Sequence, residues 1–246
     1  MKEENLVIKN KFNLALENQK KNNHNLAEKL YNEILKIEPN HFESICYLAT
    51  LFAQTKRTHL AKQLFLKANE INPNNPSINN NLGNIFLELG ENQKALKYYE
   101  KAIKIKPDYA DSHLNLGIAF KSLKNYQQAI ICFQKAISIQ PENFRSYNVL
   151  GRILKEQGEY NKAISCYEKS IKINPNNEMT LNSVLDLFTS IQFSNLTTKN
   201  SKSIKNLIIF LLNKNNINHS QIFHNVKLLI FIDQNQDEIQ KIINSE

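Results

Sequence analysis

Glycine and proline are scarce in this chain, whose 246 residues contain five glycines and six prolines. These residues interrupt helices most often, because glycine is too flexible and proline lacks a backbone N–H. Their scarcity predicts that nearly the whole chain is helical.

Cysteine is also scarce, and the three that are present are scattered at Cys46, Cys132 and Cys166. There is no CxxC pair and no framework of paired cysteines, which excludes a disulfide-stapled domain. The first residues include Glu3 and Glu4 and no apolar core, so they do not have the pattern of a signal peptide. We therefore expect a reducing, cytoplasmic location.

Long apolar runs are missing as well. The longest apolar stretches, Leu207–Leu212 and Leu228–Ile232, are far shorter than the roughly 20 residues that cross a bilayer. The hydrophobic content of 41% is ordinary for a folded domain. The sequence therefore predicts no membrane span.

The charge is positive but spread out. The formal net charge is +8, yet each 34-residue unit from residue 8 onward carries only a small excess, and residues 178–246 hold 6 basic and 6 acidic side chains. Nucleic-acid binders concentrate basic residues in a stripe or block. We expect no nucleic-acid partner. RNA binding by helical repeats stays an alternative that would require base-reading side chains at regular positions.

What the chain does have is a fixed period. Five prolines lie 34 residues apart, at Pro39, Pro73, Pro107, Pro141 and Pro175. A constant interval of this length is typical of stacked repeats, in which each unit buries its apolar face against its neighbours.

Two amphipathic helical patterns alternate inside each unit. Small residues recur in the first helix and again in the second, and a large residue recurs opposite them, as close helix packing demands. The first-helix positions are Ala15, Ala49, Gly83, Gly117 and Gly151. The second-helix small positions are Ala27, Ala61, Ala95, Ala129 and Ala163, and the large ones are Tyr31, Phe65, Tyr99, Phe133 and Tyr167.

These positions resemble the tetratricopeptide repeat family. The third unit carries the pattern as Leu82-Gly83, Phe86, Gly90, Ala95, Tyr99, Ala102 and Pro107, and the next two units repeat it, so that the resemblance covers about 70% of the chain. The chain departs from the pattern in having no tryptophan and in placing Lys11 and Asn18 where bulky residues are usual. The resemblance implies an all-α, right-handed α-solenoid of helix-turn-helix repeats, with the first unit as a polar cap.

The period and the family pattern together define the domain organisation. We expect a lead-in over residues 1–7, five repeats, a degenerate capping helix over 178–193, a linker over 194–203 and a helical C-terminal extension over 204–246. The repeats are 8–41, 42–75, 76–109, 110–143 and 144–177.

The resemblance also places a ligand groove on the concave face, along the first helices. The first-helix residues that avoid the core are the candidate peptide-binding positions. They are Asn80, Asn81, Asn84, Asp111, Asn115, Lys121, Arg145, Asn148, Arg152 and Lys155.

Asparagine at this spacing has a physical use, because its amide both donates and accepts and can hold a peptide backbone regardless of sequence. Asn81-Leu82-Gly83 and Asn115-Leu116-Gly117 resemble the asparagine ladder in the repeat arm of O-linked N-acetylglucosamine transferases. Asn13 has the same register, whereas Tyr47 and Val149 interrupt it. In an asparagine-rich chain, solvated amides on a helix face are the alternative interpretation.

Four basic side chains, Lys121, Arg145, Arg152 and Lys155, follow the later first helices. Arginine can bind a carboxylate with two parallel hydrogen bonds, which suggests an acidic peptide or a free carboxylate as ligand. The resemblance to a chaperone-tail carboxylate clamp is incomplete, because Val149 stands where an arginine is expected. An ordinary solvated face is again the alternative.

No motif for catalysis, metal binding or nucleotide binding is present: the chain has no HExxH, no GxGxxG and no GxxxxGK[ST]. We expect no cofactor and no enzymatic activity. The function predicted is a non-catalytic scaffold that binds a protein or extended peptide. The alternative is the substrate-recruiting arm of a glycosyltransferase, methyltransferase or sulfotransferase, in which case the reading frame would continue past Glu246.

Overall fold

The computed structural model describes residues 2–190 and 201–212, and these form twelve α-helices and no strand. The all-α prediction is confirmed. The helices are α1 (Lys2–Lys20), α2 (His24–Ile37), α3 (Phe42–Gln54), α4 (Thr58–Ile71), α5 (Pro76–Glu88), α6 (Asn92–Ile105), α7 (Ala110–Ser122), α8 (Tyr126–Ile139), α9 (Phe144–Glu156), α10 (Tyr160–Ile173), α11 (Glu178–Ser190) and α12 (Ser201–Leu212).

The helices pack as consecutive pairs. In the first pairs α1 lies on α2, α3 on α4 and α5 on α6, and later α9 lies on α10. The chain divides into two compact units, residues 1–125 and 126–246, with the boundary inside the fourth predicted repeat. In each unit the packing is that of stacked helix-turn-helix repeats, as the sequence predicts.

The periodic prolines mark the end of each second helix. These helices end at Ile37, Ile71, Ile105, Ile139 and Ile173, each two residues before its proline. Proline disfavours helical backbone at the residue before it and cannot donate to the preceding turn. The period therefore sets the length of every repeat.

The turn between the two helices of a repeat has its own 34-residue period. One residue in each turn has positive φ, between 59° and 76°: Asn22, Lys56, Gly90, Lys124 and Gly158. The next residue donates its N–H to the carbonyl five residues earlier, as Glu91 does to Phe86 at 2.8 Å. This is the Schellman motif, which satisfies carbonyls at a helix end. Only two of the five positions are glycine, so the sequence alone does not show the period.

The interior of each repeat follows the predicted alternation of small and large residues. The large second-helix side chains Tyr31, Phe65, Tyr99, Phe133 and Tyr167 are fully buried. A Cβ placed on Gly83 would lie 2.4 Å from the ring of Tyr99, and one on Gly151 would lie 2.8 Å from the ring of Tyr167. Glycine is therefore needed at both positions for the two helices to approach this closely.

Beyond the repeats, α11 occupies most of the predicted capping helix and buries Leu181, Val184 and Phe188. At the other end, α1 begins at Lys2, so residues 2–7 of the predicted lead-in are part of α1. In the predicted extension, the structure describes only α12, which begins at Ser201. The rest of that extension, including the apolar stretch Leu228–Ile232, lies outside the described residues, as does most of the predicted linker.

Candidate functional site

Asn80 forms a buried polar junction between two first helices of the first unit. Its Oδ1 accepts from the Ser112 hydroxyl at 3.0 Å and from the Asn115 amide nitrogen at 3.1 Å. Only 5% of Asn80 is exposed. These bonds join α5 to α7, so this predicted groove residue is committed to holding neighbouring repeats together.

Asn81 and Asn115 lie next to that junction and differ from Asn80 in exposure. Both are partly exposed, and Asn81 makes no side-chain hydrogen bond to any described residue. The bond to Asn80 uses one amide hydrogen of Asn115 and fixes its rotamer, which leaves its Oδ1 to accept from another group. The two predicted ladder amides are thus held on first helices of adjacent repeats.

Asn84 is exposed, and its Oδ1 accepts from the hydroxyl of Tyr99 at 2.8 Å. In the second unit Arg152 has the same register, 68 residues later, and Tyr167 corresponds to Tyr99. Arg152 cannot accept a hydrogen bond, and the buried hydroxyl of Tyr167 has no partner among the described residues. The same position therefore has a structural role in one unit and presents an exposed cation in the other.

In the second unit Asn148 repeats the junction that Asn80 makes in the first. Its amide nitrogen donates to the Ser183 hydroxyl at 3.2 Å and joins α9 to α11, and the whole residue is buried. Its Oδ1 has no partner in the part of the chain that the structure describes. Any contact between Asn148 and a ligand would require this side chain to move.

The remaining predicted groove residues differ in exposure and in whether they form ion pairs. Lys155 forms an ion pair with Asp186 of α11, so part of the expected positive charge is balanced. Arg145 and Arg152 are exposed and form no ion pair with any described residue. In the first unit Asp111 is exposed and Lys121 is half-buried.

Tyr47, which interrupts the predicted ladder, belongs to an aromatic cluster that the sequence did not reveal. It is 42% exposed and lies against two other rings, 5.6 Å from Phe12 and 6.4 Å from Tyr31 between centroids. A cavity of about 520 Å³ lies beside it, between α1 and α3, and includes Gln19 and Gln54. The signal for this cluster in the sequence is Tyr47 itself, an aromatic residue at a register that holds asparagine in three of the five repeats.

Two features are absent within residues 2–190 and 201–212. No group of three or more His, Cys, Asp or Glu side chains is arranged there to hold a metal ion. No helix in these ranges is long and apolar enough to cross a membrane. The cytoplasmic location stays a prediction.

Helix pairs of 34 residues, closed by a small–large contact and stacked through first helices, define the class of helical repeat proteins. Models of the tetratricopeptide repeat match residues 8–41, 43–75, 64–97, 110–143 and 144–177, and a related TPR repeat model matches 83–124. Together these matches cover well over half of the chain. The chain belongs to the tetratricopeptide repeat family.

Solved structures with the same fold are numerous. The type IV pilus biogenesis factor PilW covers 85% of this chain and 96% of its own, with a TM-score of 0.70 and 20% identity. PilF of Pseudomonas aeruginosa covers 86% and 95%, with a TM-score of 0.67 and 19% identity. YrrB, described as having an unusual peptide-binding site, covers 70% and 89%, with a TM-score of 0.55 and 18% identity. At these identities the likeness concerns the fold alone. No curated protein sequence matches this chain.

Proposed function

We propose that this protein is a non-catalytic interaction scaffold that binds an extended peptide or protein segment along the first helices of its repeats, in the groove typical of its family. The observation that carries the proposal is the arrangement of Asn81 and Asn115. Both amides are partly exposed, they have the same register in adjacent repeats, and the bond to Asn80 holds one of them in place. A preorganised amide costs less entropy on binding than a free one.

The chemistry of these amides favours recognition of the peptide backbone. Each can accept from a peptide N–H and donate to a peptide carbonyl, which requires no particular side chain on the ligand. This is the arrangement that the likeness to the O-linked N-acetylglucosamine transferase arm suggests. YrrB, which has the same fold, is itself a peptide binder by its description.

Arg145 and Arg152 add a preference for negative charge in the second unit. Both are exposed on α9 and have no acidic partner among the described residues, whereas Lys155 is paired with Asp186. A carboxylate on the peptide, either a side chain or the free C-terminus, can pair with either guanidinium. The partner we propose is therefore an extended and acidic segment.

A peptide array probed with the full chain tests the groove. The strongest-binding peptide is then titrated against Asn81→Ala/Asn115→Ala, which we expect to bind about tenfold more weakly, since each hydrogen bond contributes about 0.5–1.5 kcal/mol. Asn32→Ala is the matched control, because Asn32 is an exposed asparagine on the second helix α2. Equal affinity of all three proteins would overturn the assignment of the ladder.

The charge preference has a separate test. The same peptide is prepared with a free C-terminal carboxylate and with a C-terminal amide. We expect the carboxylate form to bind more tightly, and we expect Arg152→Gln to remove at least part of that difference. If the two peptide forms bind equally to the parent protein, the carboxylate preference is wrong while backbone recognition by the asparagines is unaffected.

A further inference from the structure

A second candidate binding site is lined by none of the predicted groove residues. A cavity of about 890 Å³ opens among α8, α9 and α10 of the second unit. This volume is within the range of sites that bind small ligands or single side chains with their flanking backbone. Apolar residues and polar residues both line it, among them Ile130, Leu150, Leu154, Glu159, Asn161 and Cys166.

In the first unit, two aromatic side chains occupy the positions that correspond to this cavity. The positions 68 residues earlier, on α5 and α6, are Phe86 and Tyr98, and their rings are stacked with centroids 5.2 Å apart and planes at 9°. Leu154 and Cys166 hold these two positions in the second unit. The smaller side chains supply no rings, so an aromatic-sized space is left open at this register.

The first unit also fills the corresponding place with a cation. The ammonium of Lys62 lies 4.9 Å from the centroid of the stacked phenyl ring and 3.1 Å from the carboxylate of Glu91. In the second unit Ile130 takes the place of Lys62, while Glu159 keeps the place of Glu91. Glu159 pairs with Lys162, three residues later in the same repeat. Ile130 of the preceding repeat, unlike Lys62, supplies no second cation to it.

The comparison with the first unit shows what the opening lacks. Lys162 also lines the cavity and pairs with Glu159, as Lys94 pairs with Glu91 in the first unit. The opening therefore lacks the two stacked rings and one of the two cations that the first unit has at this register, and one kind of ligand can supply both.

We propose that this cavity binds a peptide segment in which an aromatic residue stands next to lysine or arginine. The aromatic ring takes the space that Phe86 and Tyr98 fill in the first unit, against Leu150 and Leu154. The basic side chain pairs with Glu159, as Lys62 does with Glu91. An acidic segment is disfavoured here by Glu159, which distinguishes this site from the groove around Arg145 and Arg152.

The test uses the full chain and the probe N-acetyl-Tyr-Lys-amide, followed by ¹H–¹³C methyl spectra. Saturable shifts are expected at the methyl groups of Ile130, Leu150 and Leu154, since ring currents act over short distances. N-acetyl-Ala-Lys-amide, which lacks the ring, is expected to cause none. N-acetyl-Tyr-Glu-amide is expected to bind up to about fivefold more weakly, which is the range for one exposed ion pair.

Two variants locate the site. Leu154→Phe/Cys166→Tyr copies the residues of the first unit and is expected to abolish the shifts by filling the cavity. Glu159→Gln is expected to remove the preference for the Lys peptide over the Glu peptide while ring binding persists, and it carries the test if the double variant does not fold. The groove variant Asn81→Ala/Asn115→Ala is expected to bind the probe as the parent does.

Three results would overturn the proposal. One is the absence of shifts at the three cavity residues with the Tyr-Lys probe. Another is an unchanged affinity in a folded Leu154→Phe/Cys166→Tyr variant. The third is equal binding of all three dipeptides. Because the probe and the variants differ from those used for the groove, failure here leaves the proposed function untouched.

Discussion

The hydroxyl of Tyr99 donates to the Oδ1 of Asn84 across 2.8 Å, from the second helix of the third repeat to its first helix. The ring is otherwise fully buried, and burial raises the pKa of the phenol well above its usual range. Tyr167 has the same place in the fifth repeat, but its hydroxyl has no partner among the described residues. Two tyrosines in identical registers thus have different hydrogen-bond status.

Removing the two hydroxyls should therefore have unequal effects. We expect Tyr99→Phe to lower the free energy of unfolding by about 1 kcal/mol, because a net hydrogen bond is lost. We expect Tyr167→Phe to leave it unchanged or to raise it slightly, since an unsatisfied buried hydroxyl is removed. Urea unfolding followed by circular dichroism in the far ultraviolet measures both, and equal losses in the two variants would contradict the assignment.

The close contacts of the two glycines predict a graded response to an added methyl group. Gly83→Ala places a Cβ 2.4 Å from a buried ring, and Gly151→Ala places one 2.8 Å away. Overpacking costs about 1–3 kcal/mol, against a helix-propensity gain of about 1 kcal/mol for replacing glycine. We expect a net loss of stability for Gly83→Ala and a smaller loss for Gly151→Ala, measured by urea unfolding. A stabilised Gly83→Ala variant would show that the helix pair can separate without cost.

The positive-φ turn predicts a contrast that depends on backbone alone. Gly90 has φ of 75°, and a Cβ there would meet nothing within 4 Å, so only the left-handed conformation opposes a side chain. We expect Gly90→Ala to cost about 1 kcal/mol. Lys56 already bears this cost at φ of 61°, so Lys56→Ala is the matched control and should change stability little. Thermal melting of both variants checks the difference.

The partly exposed cysteines should react slowly at neutral pH. Burial raises the pKa of Cys46 to about 12 and that of Cys166 to about 11, from an ordinary value of 9.0. Because the thiolate is the nucleophile, these raised pKa values reduce the reactive fraction at pH 7 about 1,000-fold for Cys46 and about 100-fold for Cys166, relative to an ordinary thiol. Iodoacetamide labelling read by peptide mass spectrometry should keep rising with pH beyond the ordinary thiol pKa at both sites. A plateau near that ordinary value in the folded chain would contradict the raised pKa values.

The sequence alone was enough to predict the helix pairs of the repeats. The proline interval, the small–large alternation and the apolar spacing each follow from rules within one helix pair, and Pro73 ends α4 for the same reason that Pro107 ends α6. The turn residues were only partly visible, because Asn22, Lys56 and Lys124 adopt positive φ without being glycine.

The candidate site was predicted less completely. Asn80 and Asn81 are neighbours of the same residue type, yet one is buried in a junction and the other is partly exposed. The difference comes from Ser112 and Asn115 in the following repeat. Residue type alone therefore does not distinguish the two asparagines, whereas the helix face that each occupies and the partners in the next repeat do.

By itself, then, the sequence determined the number of repeats, their register and the residues at their cores, because these depend on local backbone preferences and on a pattern repeated five times. The tertiary structure decided which polar side chains form hydrogen bonds between repeats and where a cavity remains at the surface. Those outcomes depend on pairs 32–35 residues apart, such as Asn148 with Ser183, and on side-chain sizes across three helices, as at Leu154 and Cys166. Packing between repeats therefore sets the candidate binding sites.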